Sequence, residues 1–425
     1  MTNVRPIYVA VTHTANSDAR TGVQTVVRGL VHGLGSSPEN TELVWWMKRS
    51  RTLDLLDATA RARFGLALPI TSPERTPELK QRPPTAERPK KILGWLYRSQ
   101  VWKRTVHWKR YRTARHLKAP LHLHPVHRPQ ARGAWLILPE VMYGPETPRV
   151  IAYAKKCGML VAAIFHDAIP VSHPELVRQE AAAQHAEYMR ILCGADLILP
   201  VSEQSGEDFR RFAQDRMLTA PRIKTCGLAA EMLDQARAQA KIEGSTVAVN
   251  ALCVCTLEPR KNHVTLIEAF AQASEKIPGL QLHLVGDRYK DADHLVEAVQ
   301  EAKLRNPNLI WHGRLSPNDL RALYVACEFT VYPSFIEGFG LPVMESLWHR
   351  RPCICADSGS MAENAAGGGC LTTDVRDPVA LGEAIVRLAS DSTLRFSLTK
   401  EIEQRRLKTW REYGNEIRSA LASPT

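Results

Sequence analysis

Hydrophobic positions along the chain follow two alternating patterns. Short runs of consecutive apolar residues are typical of strands covered on both faces, and longer stretches repeat their apolar positions every three or four residues, as one face of a helix does. The predicted strands are 7–12, 42–47, 134–139, 159–165, 195–200, 247–255, 281–285, 309–311, 329–332 and 353–356. The predicted helices are 23–34, 53–64, 148–157, 174–192, 202–212, 229–240, 264–274, 295–303 and 318–327, with further helices to about residue 421. This alternation predicts an α/β protein built from doubly wound parallel sheets.

The length and composition predict two domains. The chain has 425 residues, 44% of them hydrophobic, which is enough for two separate cores. A polar link at 243–245 divides the pattern, so we expect a Rossmann-like domain over 1–240, a second over 241–405 and a C-terminal helix over 406–425. No apolar run has the length of a membrane span, and the N-terminus leads directly into a strand-like segment, so we expect a cytoplasmic protein.

The net excess of positive charge comes from one segment. The formal net charge is +12, and residues 88–132 contain thirteen Lys and Arg but no Asp or Glu. The segment also carries aromatic rings suited to a headgroup interface, so we expect it to lie on an anionic membrane. A solvated surface helix and a nucleic-acid-binding stretch are the alternatives, although the segment lacks the glycine–aromatic pattern of an RNA-binding sheet. The residues expected to contact the membrane are Trp95, Trp102, Lys103, Arg104 and Trp108.

The cysteines are expected to be buried thiols. Their number, nine, is odd, and Cys253 with Cys255 and Cys353 with Cys355 each alternate along a predicted strand. Each pair therefore lies on one face of its strand. Core thiols in a reducing compartment explain these pairs better than disulfides or a metal site.

Two other groupings imitate metal sites. Asp291 and Asp293 form an Asp-x-Asp pair, but they stand at the start of a predicted helix, where acids favour the helix dipole. His122, His124 and His127 lie in a proline-containing loop with no neighbouring acid or cysteine. We therefore expect no metal and no other cofactor.

The stretch 331–346 combines the end of a strand, a glycine loop and the start of a helix. Gly338 and Gly340 allow the backbone to turn tightly beside a ligand, and a helix N-terminus at this place would stabilise a phosphate. Glu337 and Glu345 would repel that phosphate. We expect both to be ionised and to accept hydrogen bonds from neutral hydroxyls, as sugars and riboses offer.

These residues carry a resemblance to a known family. Glu337 and Glu345, with seven residues between them inside Glu-Gly-Phe-Gly-Leu-Pro and Glu-Ser, resemble the paired-glutamate motif of family 4 retaining glycosyltransferases. The segment 256–262, Thr-Leu-Glu-Pro-Arg-Lys-Asn, resembles that family's basic donor-phosphate segment. The resemblance implies the GT-B fold, in which two Rossmann-like domains face each other across a cleft and the last helix returns to the first domain. It also implies a nucleotide sugar held mainly by the second domain and an acceptor held by the first.

The resemblance also implies roles for single residues. Arg260 and Lys261 would neutralise the leaving diphosphate in place of a metal, Glu337 would hold the transferred sugar, and Glu345 would hold the ribose. The catalytic residues so implied are His166, Arg260, Lys261 and Glu337. The further donor-binding residues so implied are Gly22, Gly338, Phe339, Gly340 and Leu341.

Three positions in the first half of the chain have both a functional and a purely structural interpretation. Gly22 lies where family members approach the donor phosphates, but a plain strand-to-helix turn would look the same. His166 would face the cleft near the reacting sugar, or would only cap its strand. Ser202 and the residues after it resemble a cleft-facing serine segment, and a helix-capping serine gives the same pattern.

The function implied is retaining transfer of a hexosyl group, with GDP-mannose favoured, to a glycan or lipid-linked acceptor in surface polysaccharide biosynthesis. Because no nucleophilic carboxylate is visible, we expect front-face attack with the donor phosphate as base. The expected place is the inner face of the plasma membrane. The alternative is a catalytically inactive GT-B-fold scaffold or a nucleic-acid-binding protein that uses the basic segment, although no nucleic-acid partner is expected.

Overall fold

The computed structural model describes most of the chain outside the basic segment. The described residues are 6–14, 22–35, 41–48, 50–56, 124–126, 131–233, 237, 249–290 and 292–423. All five residues expected at a membrane lie outside these ranges, as do His122 and His127. Within the described ranges, no helix combines the length and the apolar character that crossing a bilayer requires.

Fourteen strands and thirteen helices are described. The strands are β1 Ile7–Ala10, β2 Thr41–Met47, β3 Thr52–Leu55, β4 His124–Pro125, β5 Trp135–Leu138, β6 Leu160–Phe165, β7 Leu197–Pro200, β8 Arg222–Ile223, β9 Asn250–Val254, β10 Gln281–Val285, β11 Leu309–Trp311, β12 Phe329–Tyr332, β13 Cys353–Ala356 and β14 Cys370–Thr373. The helices are α1 Gly22–Gly35, α2 Glu146–Lys156, α3 Ile169–Ser172, α4 Gln179–Leu192, α5 Glu203–Asp215, α6 His263–Lys276, α7 Asp293–Arg305, α8 Pro317–Ala326, α9 Leu341–Trp348, α10 Gly359–Ala365, α11 Pro378–Ser390, α12 Ser392–Gln404 and α13 Trp410–Ala422. Short 3-10 turns cover Pro174–Leu176 and Pro259–Lys261.

The first sheet has the order β4-β3-β2-β1-β5-β6-β7-β8. Strand β1 pairs in parallel with β2 and β5, and the parallel pairing continues through β6 and β7 to β8. Strand β3 runs antiparallel to β2 near the other edge. The order reverses between β1 and β5, so the carboxyl ends of these two central strands border a crevice.

The second sheet has six strands in the order β11-β10-β9-β12-β13-β14, and all its pairs are parallel. Numbered from its own first strand, this is the 3-2-1-4-5-6 order of a dinucleotide-binding fold. Its inner strands β12 and β13 are buried along their whole length, as expected of parallel strands covered on both faces. The prediction of two doubly wound sheets is confirmed.

Three predicted helices differ from the structure. The prediction of a helix over 53–64 is wrong at its start, because Leu53 pairs with Trp46 across the antiparallel ladder of β2 and β3. Residues 57–64 lie outside the described ranges. The predicted helix over 174–192 is interrupted in the structure, because Val177 and Arg178 have extended backbone and separate the 3-10 turn from α4.

The third difference concerns the predicted helix 229–240. Residues 229–233 are not helical, and the backbone N–H of Ala230 donates to the carbonyl oxygen of Lys408 at 2.9 Å. Alanine has a high helix propensity, but here the backbone pairs with another segment of the chain, and this contact overrides the propensity. The segment serves as a crossing between the two sheets.

The last helix packs on the first sheet's domain. Trp410 and Tyr413 of α13 are fully buried, and a Cβ added to Gly29 of α1 would lie 2.2 Å from the Trp410 ring. The indole Nε1–H of Trp410 donates to the carbonyl oxygen of Glu231 at 2.8 Å. Glycines in α1 thus permit a close helix–helix contact, and the predicted return of the last helix is confirmed.

Candidate active site

The site forms where the order of the second sheet reverses. Strands β9 and β12 are neighbours there, and their carboxyl ends carry two loops. The loop after β9 contains the 3-10 turn Pro259–Lys261, and the loop after β12 contains the glycine segment 338–340 that leads into α9. The backbone N–H of Phe335 donates to the carbonyl oxygen of Arg260 at 2.9 Å, which ties the two loops together.

Glu337 is the centre of an ion-pair network. Arg260 Nη1 donates to its Oε2 and Lys261 Nζ to its Oε1, both at 2.5 Å. The Tyr332 hydroxyl also donates to Oε1, at 2.8 Å, and receives a second hydrogen bond from Lys261 Nζ at 2.6 Å. Arg260 Nε donates to Glu258 at 3.0 Å. The two basic residues and the glutamate of the two sequence motifs therefore meet in one cluster.

The charges of this network fix the ionisation of Glu337. Burial alone would raise the pKa of its carboxyl, but the positive charges of Arg260 and Lys261 lower the pKa to about 2. Glu337 is therefore ionised throughout the physiological range, as expected.

Glu345 has a different environment in α9. Burial raises the pKa of its carboxyl to about 7, and a hydrogen bond from the Tyr324 hydroxyl offsets this only in part. Lys261 and Arg260 contact Glu337 and not Glu345. The expectation that both glutamates are fully ionised is therefore wrong for Glu345, because proximity to a helix start does not replace a cation.

The glycine loop is held from both sides. A Cβ on Gly338 would lie 2.1 Å from the carbonyl oxygen of His166, so only glycine fits against the end of β6. The hydroxyls of Ser202 and Ser205 donate to the Gly338 carbonyl oxygen at 2.6 and 3.0 Å. Ser202 also caps α5, so both alternatives for the serine segment apply at once. These contacts join the two sheets' domains at the loop.

On its other side, the loop is held by α10. Ser360 donates to the Glu337 carbonyl oxygen at 2.7 Å, and the Asn364 amide donates to the Phe339 carbonyl oxygen. Gly340 has the left-handed φ of +86°, which glycine adopts without strain, and α9 begins at the next residue, Leu341. The structure therefore brings Glu337, Phe339, Gly340 and Leu341 into one rigid turn.

His166 is buried at the carboxyl end of β6. Its Nε2 lies 2.8 Å from the carbonyl oxygen of Pro139, and since a carbonyl only accepts, Nε2 carries the proton. Burial lowers the pKa of the imidazole, so His166 is neutral near pH 7. The structure thus supports the strand-capping contact, while its backbone oxygen borders the glycine loop.

Gly22 begins α1, and a Cβ there would lie 3.9 Å from Leu341 Cδ1, so it faces the start of α9. Glu140, which the sequence patterns do not single out, lies close by at the end of β5. Its carboxylate accepts hydrogen bonds from the backbone N–H groups of His13 and Thr14 at 2.8 and 2.6 Å. It thereby fixes the chain at the carboxyl end of β1.

A second contact that the sequence does not reveal crosses between the domains. Glu363 of α10 accepts hydrogen bonds from the backbone N–H groups of Glu203 and Gln204, at 3.0 and 2.7 Å. It caps the N-terminus of α5, which belongs to the first sheet's domain. A cavity of about 310 Å³ lies beside this contact and beside Glu337, with polar side chains from both domains in its wall, including Asp208, Arg211 and Arg376.

The remaining sequence candidates are placed as follows. Asp293 is the first residue of α7 and pairs with Arg288 at 2.5 Å, in keeping with the helix-start interpretation, and Asp291 lies outside the described ranges. All nine cysteines are described, and none forms a disulfide. The thiols of Cys253 and Cys255 share one side of β9, as predicted.

The comparisons with known proteins agree with this geometry. Among solved structures, sucrose-phosphate synthase from Thermosynechococcus elongatus has a TM-score of 0.60 at 17% identity, over 98% of both chains. The Anabaena protein HepE, in complex with UDP and glucose, has a TM-score of 0.61 at 13% identity, over 99% of this chain and 100% of that one. The chain has the GT-B fold of the glycosyltransferases.

The sequence comparison identifies one segment of the chain. Residues 248–391 match the family model described as Glycosyl transferases group 1, so this segment is similar to a group 1 glycosyltransferase domain. The serotype-specific mannosyltransferase WbdA of Escherichia coli is 26% identical over 227 residues, which are 50% of this chain and 28% of that protein. O-antigen chain mannosyltransferase B of Escherichia coli is 32% identical over 162 residues, which are 38% of this chain and 42% of that protein. The matches thus span less than half the length of these relatives.

Proposed function

We propose that this chain is a retaining glycosyltransferase that moves a hexosyl group from a nucleoside-diphosphate sugar to a glycan or lipid-linked acceptor. The observation that carries the proposal is the convergence of Arg260, Lys261 and Glu337 at the switch point of the second sheet. The mannosyltransferase names of WbdA and of O-antigen chain mannosyltransferase B favour mannose as the sugar and GDP as its carrier. HepE, described with UDP and glucose, makes UDP-glucose the donor to compare.

Arg260 and Lys261 are proposed to bind the donor diphosphate without a metal. Two cations about 4 Å from the phosphate oxygens, at an effective dielectric constant of about 20, would each contribute about 4 kcal/mol before desolvation. Glu337 holds both cations on one side, which orders their long side chains before any donor arrives. The backbone N–H groups at the start of α9 and the carboxylate of Glu345 would contact the phosphate and the ribose, respectively.

Transfer is proposed to occur in the cavity beside Glu337. The bond from the sugar's anomeric carbon to the diphosphate breaks, and the acceptor hydroxyl bonds to that carbon on the same face. The hydroxyl proton passes to a departing phosphate oxygen, so anomeric configuration is retained. Polar side chains in the cavity wall, Asp208 and Arg211 among them, are suited to orient a hydroxylated acceptor.

The acceptor is proposed to be presented at an anionic membrane on the cytoplasmic side. The support is the sequence of 88–132, with its thirteen cations and its aromatic residues. Such a surface would concentrate the enzyme where a lipid-linked glycan is exposed.

Thermal shift with GDP, UDP, ADP and dTDP tests the donor site directly. We expect GDP to raise the melting temperature most. A second assay then measures hexosyl transfer from GDP-mannose to an acceptor lipid extract. If UDP stabilises more than GDP, the choice of GDP-mannose is wrong and UDP-glucose replaces it. If no diphosphate stabilises the chain, the proposed donor site is wrong.

Arg260→Ala tests the role of the basic turn. Loss of one charged hydrogen bond to the diphosphate should cost about 1.5–3 kcal/mol of transition-state stabilisation. The value of kcat/KM should therefore fall roughly ten- to a hundredfold. Arg288→Ala, at an exposed ion pair outside the cluster, is the matched control and should keep full activity. Unchanged kcat/KM in Arg260→Ala, or strong stimulation of the wild type by Mg²⁺ or Mn²⁺, would contradict the proposal.

A further inference from the structure

Two thiols and an imidazole form a cluster behind the basic turn. The sulfur atoms of Cys253 and Cys255 on β9 are 3.6 Å apart. His263, the first residue of α6, places its Nε2 3.4 Å from the sulfur of Cys255. The three ligand atoms all lie within 4.8 Å of one another. The two cysteines were expected as core thiols, and His263, eight positions after Cys255, belongs to no recognisable motif with them.

The distances fit a tetrahedral zinc site. With Zn–S bonds of about 2.3 Å and a Zn–N bond of about 2.0–2.1 Å, two sulfurs lie about 3.8 Å apart and a sulfur and a nitrogen about 3.6 Å apart. The observed separations of 3.6 Å between the sulfurs and 3.4 Å between Cys255 and His263 differ from these values by only about 0.2 Å, and the sulfur of Cys253 lies within 4.8 Å of the imidazole nitrogen. An ion could therefore be accommodated with small adjustments of the side chains.

Burial and charge also favour a cation. Cys253 and His263 are 1% and 2% exposed, whereas Cys255 is partly exposed and offers a path from the solvent. Nδ1 of His263 is buried without a hydrogen-bond partner in the described part of the chain, so no competing hydrogen bond at this nitrogen holds the ring. Exchange of two thiol protons for one divalent ion leaves the net charge unchanged, and the ion therefore adds no net repulsion toward Lys261 nearby.

We propose that Cys253, Cys255 and His263 bind one thiophilic divalent cation, Zn²⁺ in the first place. Thiolate and imidazole are the ligands that zinc prefers, and three protein ligands leave the fourth position to water. The ion would clamp the end of β9 to the start of α6. It would thereby close the seven-residue loop 256–262 that carries Arg260 and Lys261, and it would stiffen the loop without contacting the donor. This proposal stands independently of the proposed reaction.

Titration with Co²⁺ tests the site spectroscopically. The full chain is reduced, stripped of metal by a chelator that is then removed, and titrated with Co²⁺. We expect a thiolate-to-cobalt charge-transfer band that saturates at one ion per chain and is abolished by one equivalent of Zn²⁺. Cys253→Ser/Cys255→Ser should lose the band. Cys353→Ser/Cys355→Ser, with the same spacing on β13, which β12 separates from β9 in the same sheet, is the matched control and should keep it.

Absence of a thiolate band in the wild type overturns the proposal, and so does a band that the Cys253→Ser/Cys255→Ser variant retains. If either double variant fails to fold, cysteine alkylation of the wild type tests the site instead. Alkylation with and without Zn²⁺ is compared at each cysteine by mass spectrometry. Zn²⁺ should lower modification of Cys253 and Cys255 at least tenfold and leave Cys193 unchanged. Equal modification of the pair with and without Zn²⁺ would contradict the site.

Discussion

Glu337 places a negative charge next to the two cations proposed to bind a diphosphate. Its ion pairs with Arg260 and Lys261 hold both side chains in one geometry, and the Tyr332 hydroxyl completes the set of donors. Removing one member would leave the other charges buried and only partly paired. The three residues therefore act as one unit, and their substitutions are not expected to add.

Glu337→Gln should separate donor binding from transfer. The substitution removes a negative charge beside the proposed phosphate site, so the affinity for GDP should stay the same or increase. The proposed contact to the transferred sugar weakens, and the two cations lose their ion-pair partner. We therefore expect a loss of about 2–4 kcal/mol of transition-state stabilisation, measured as a lower kcat/KM. Calorimetry with GDP and transfer assays with GDP-mannose measure the two effects. Glu258→Gln, which alters a carboxylate that accepts a hydrogen bond from Arg260, is the milder control.

Glu345 should make stability depend on pH. The pKa of its carboxyl is about 7 in the folded state, above the unfolded value of 4.5. Its contribution to the free energy of unfolding is therefore fully present below pH 4.5 and is lost as the pH rises through about 7. Relative to the wild type, Glu345→Gln should therefore gain on the order of 1–2 kcal/mol of unfolding free energy between pH 4.5 and pH 8, allowing for partial solvent exposure. Urea unfolding at several pH values measures this. A constant difference between the two proteins across that range would rule the assignment out.

At the residue scale, the sequence was informative where a motif carries its own chemistry. Arg260, Lys261 and Glu337 were predicted as site residues, and they meet in space. Their direct pairing was not predicted, because spacing along the chain does not reveal which charges face one another after folding. Glu140 and Glu363 were missed for the same reason, since both bind backbone N–H groups of distant segments and belong to no motif.

The glycine loop before α9 is one of the places where the second domain touches the first. Gly338 lies against the backbone of His166, and Ser202 and Ser205 donate to its carbonyl oxygen. The loop therefore takes part both in the proposed donor site and in the contact between domains. A substitution that disturbs the contact between the domains should therefore also disturb the proposed donor site.

Gly338→Ala should reveal this double function. The added methyl group would lie 2.1 Å from the His166 carbonyl oxygen and must push the loop away from β6. Overpacking of this kind costs about 1–3 kcal/mol, and we expect a matching loss of thermal stability together with at least a tenfold loss of transfer. Gly35→Ala, at the end of α1 with open space around the position, is the matched control. Transfer at the wild-type rate in Gly338→Ala would show that the close contact is dispensable.

At the element scale, the apolar patterns located the buried strands well. Strands β10 to β13 match their predicted bounds, because a covered parallel strand leaves a continuous apolar run. Helix predictions were wrong where tertiary pairing overrides local propensity. Leu53 joins an antiparallel ladder, and Ala230 pairs with Lys408, a residue almost two hundred positions away in the chain.

The basic segment 88–132 concerns the molecule as a whole, since on the proposed function it would set where the chain works. Each Lys or Arg near an anionic surface contributes about 1 kcal/mol, so co-sedimentation with anionic liposomes should be strong at low salt and fall as salt rises. Trp102→Ala together with Trp108→Ala should weaken it several-fold, because their rings suit the headgroup layer. Neutral liposomes are the control. Equal recovery with neutral liposomes, or none with anionic ones at low salt, would exclude this role.

The chain passes between the two domains twice, and the two crossings lie side by side. Ala230 bonds to Lys408 through the backbone, and the Lys408 ammonium donates to the Gly227 carbonyl oxygen at 2.8 Å. Two domains joined along such a seam can rotate about it. A rotation that opened the cleft would break the contacts of Gly338 and Glu363 together. On the proposed function, a donor that holds the glycine loop in place would therefore also set the position of α5, so that donor binding would complete the acceptor side.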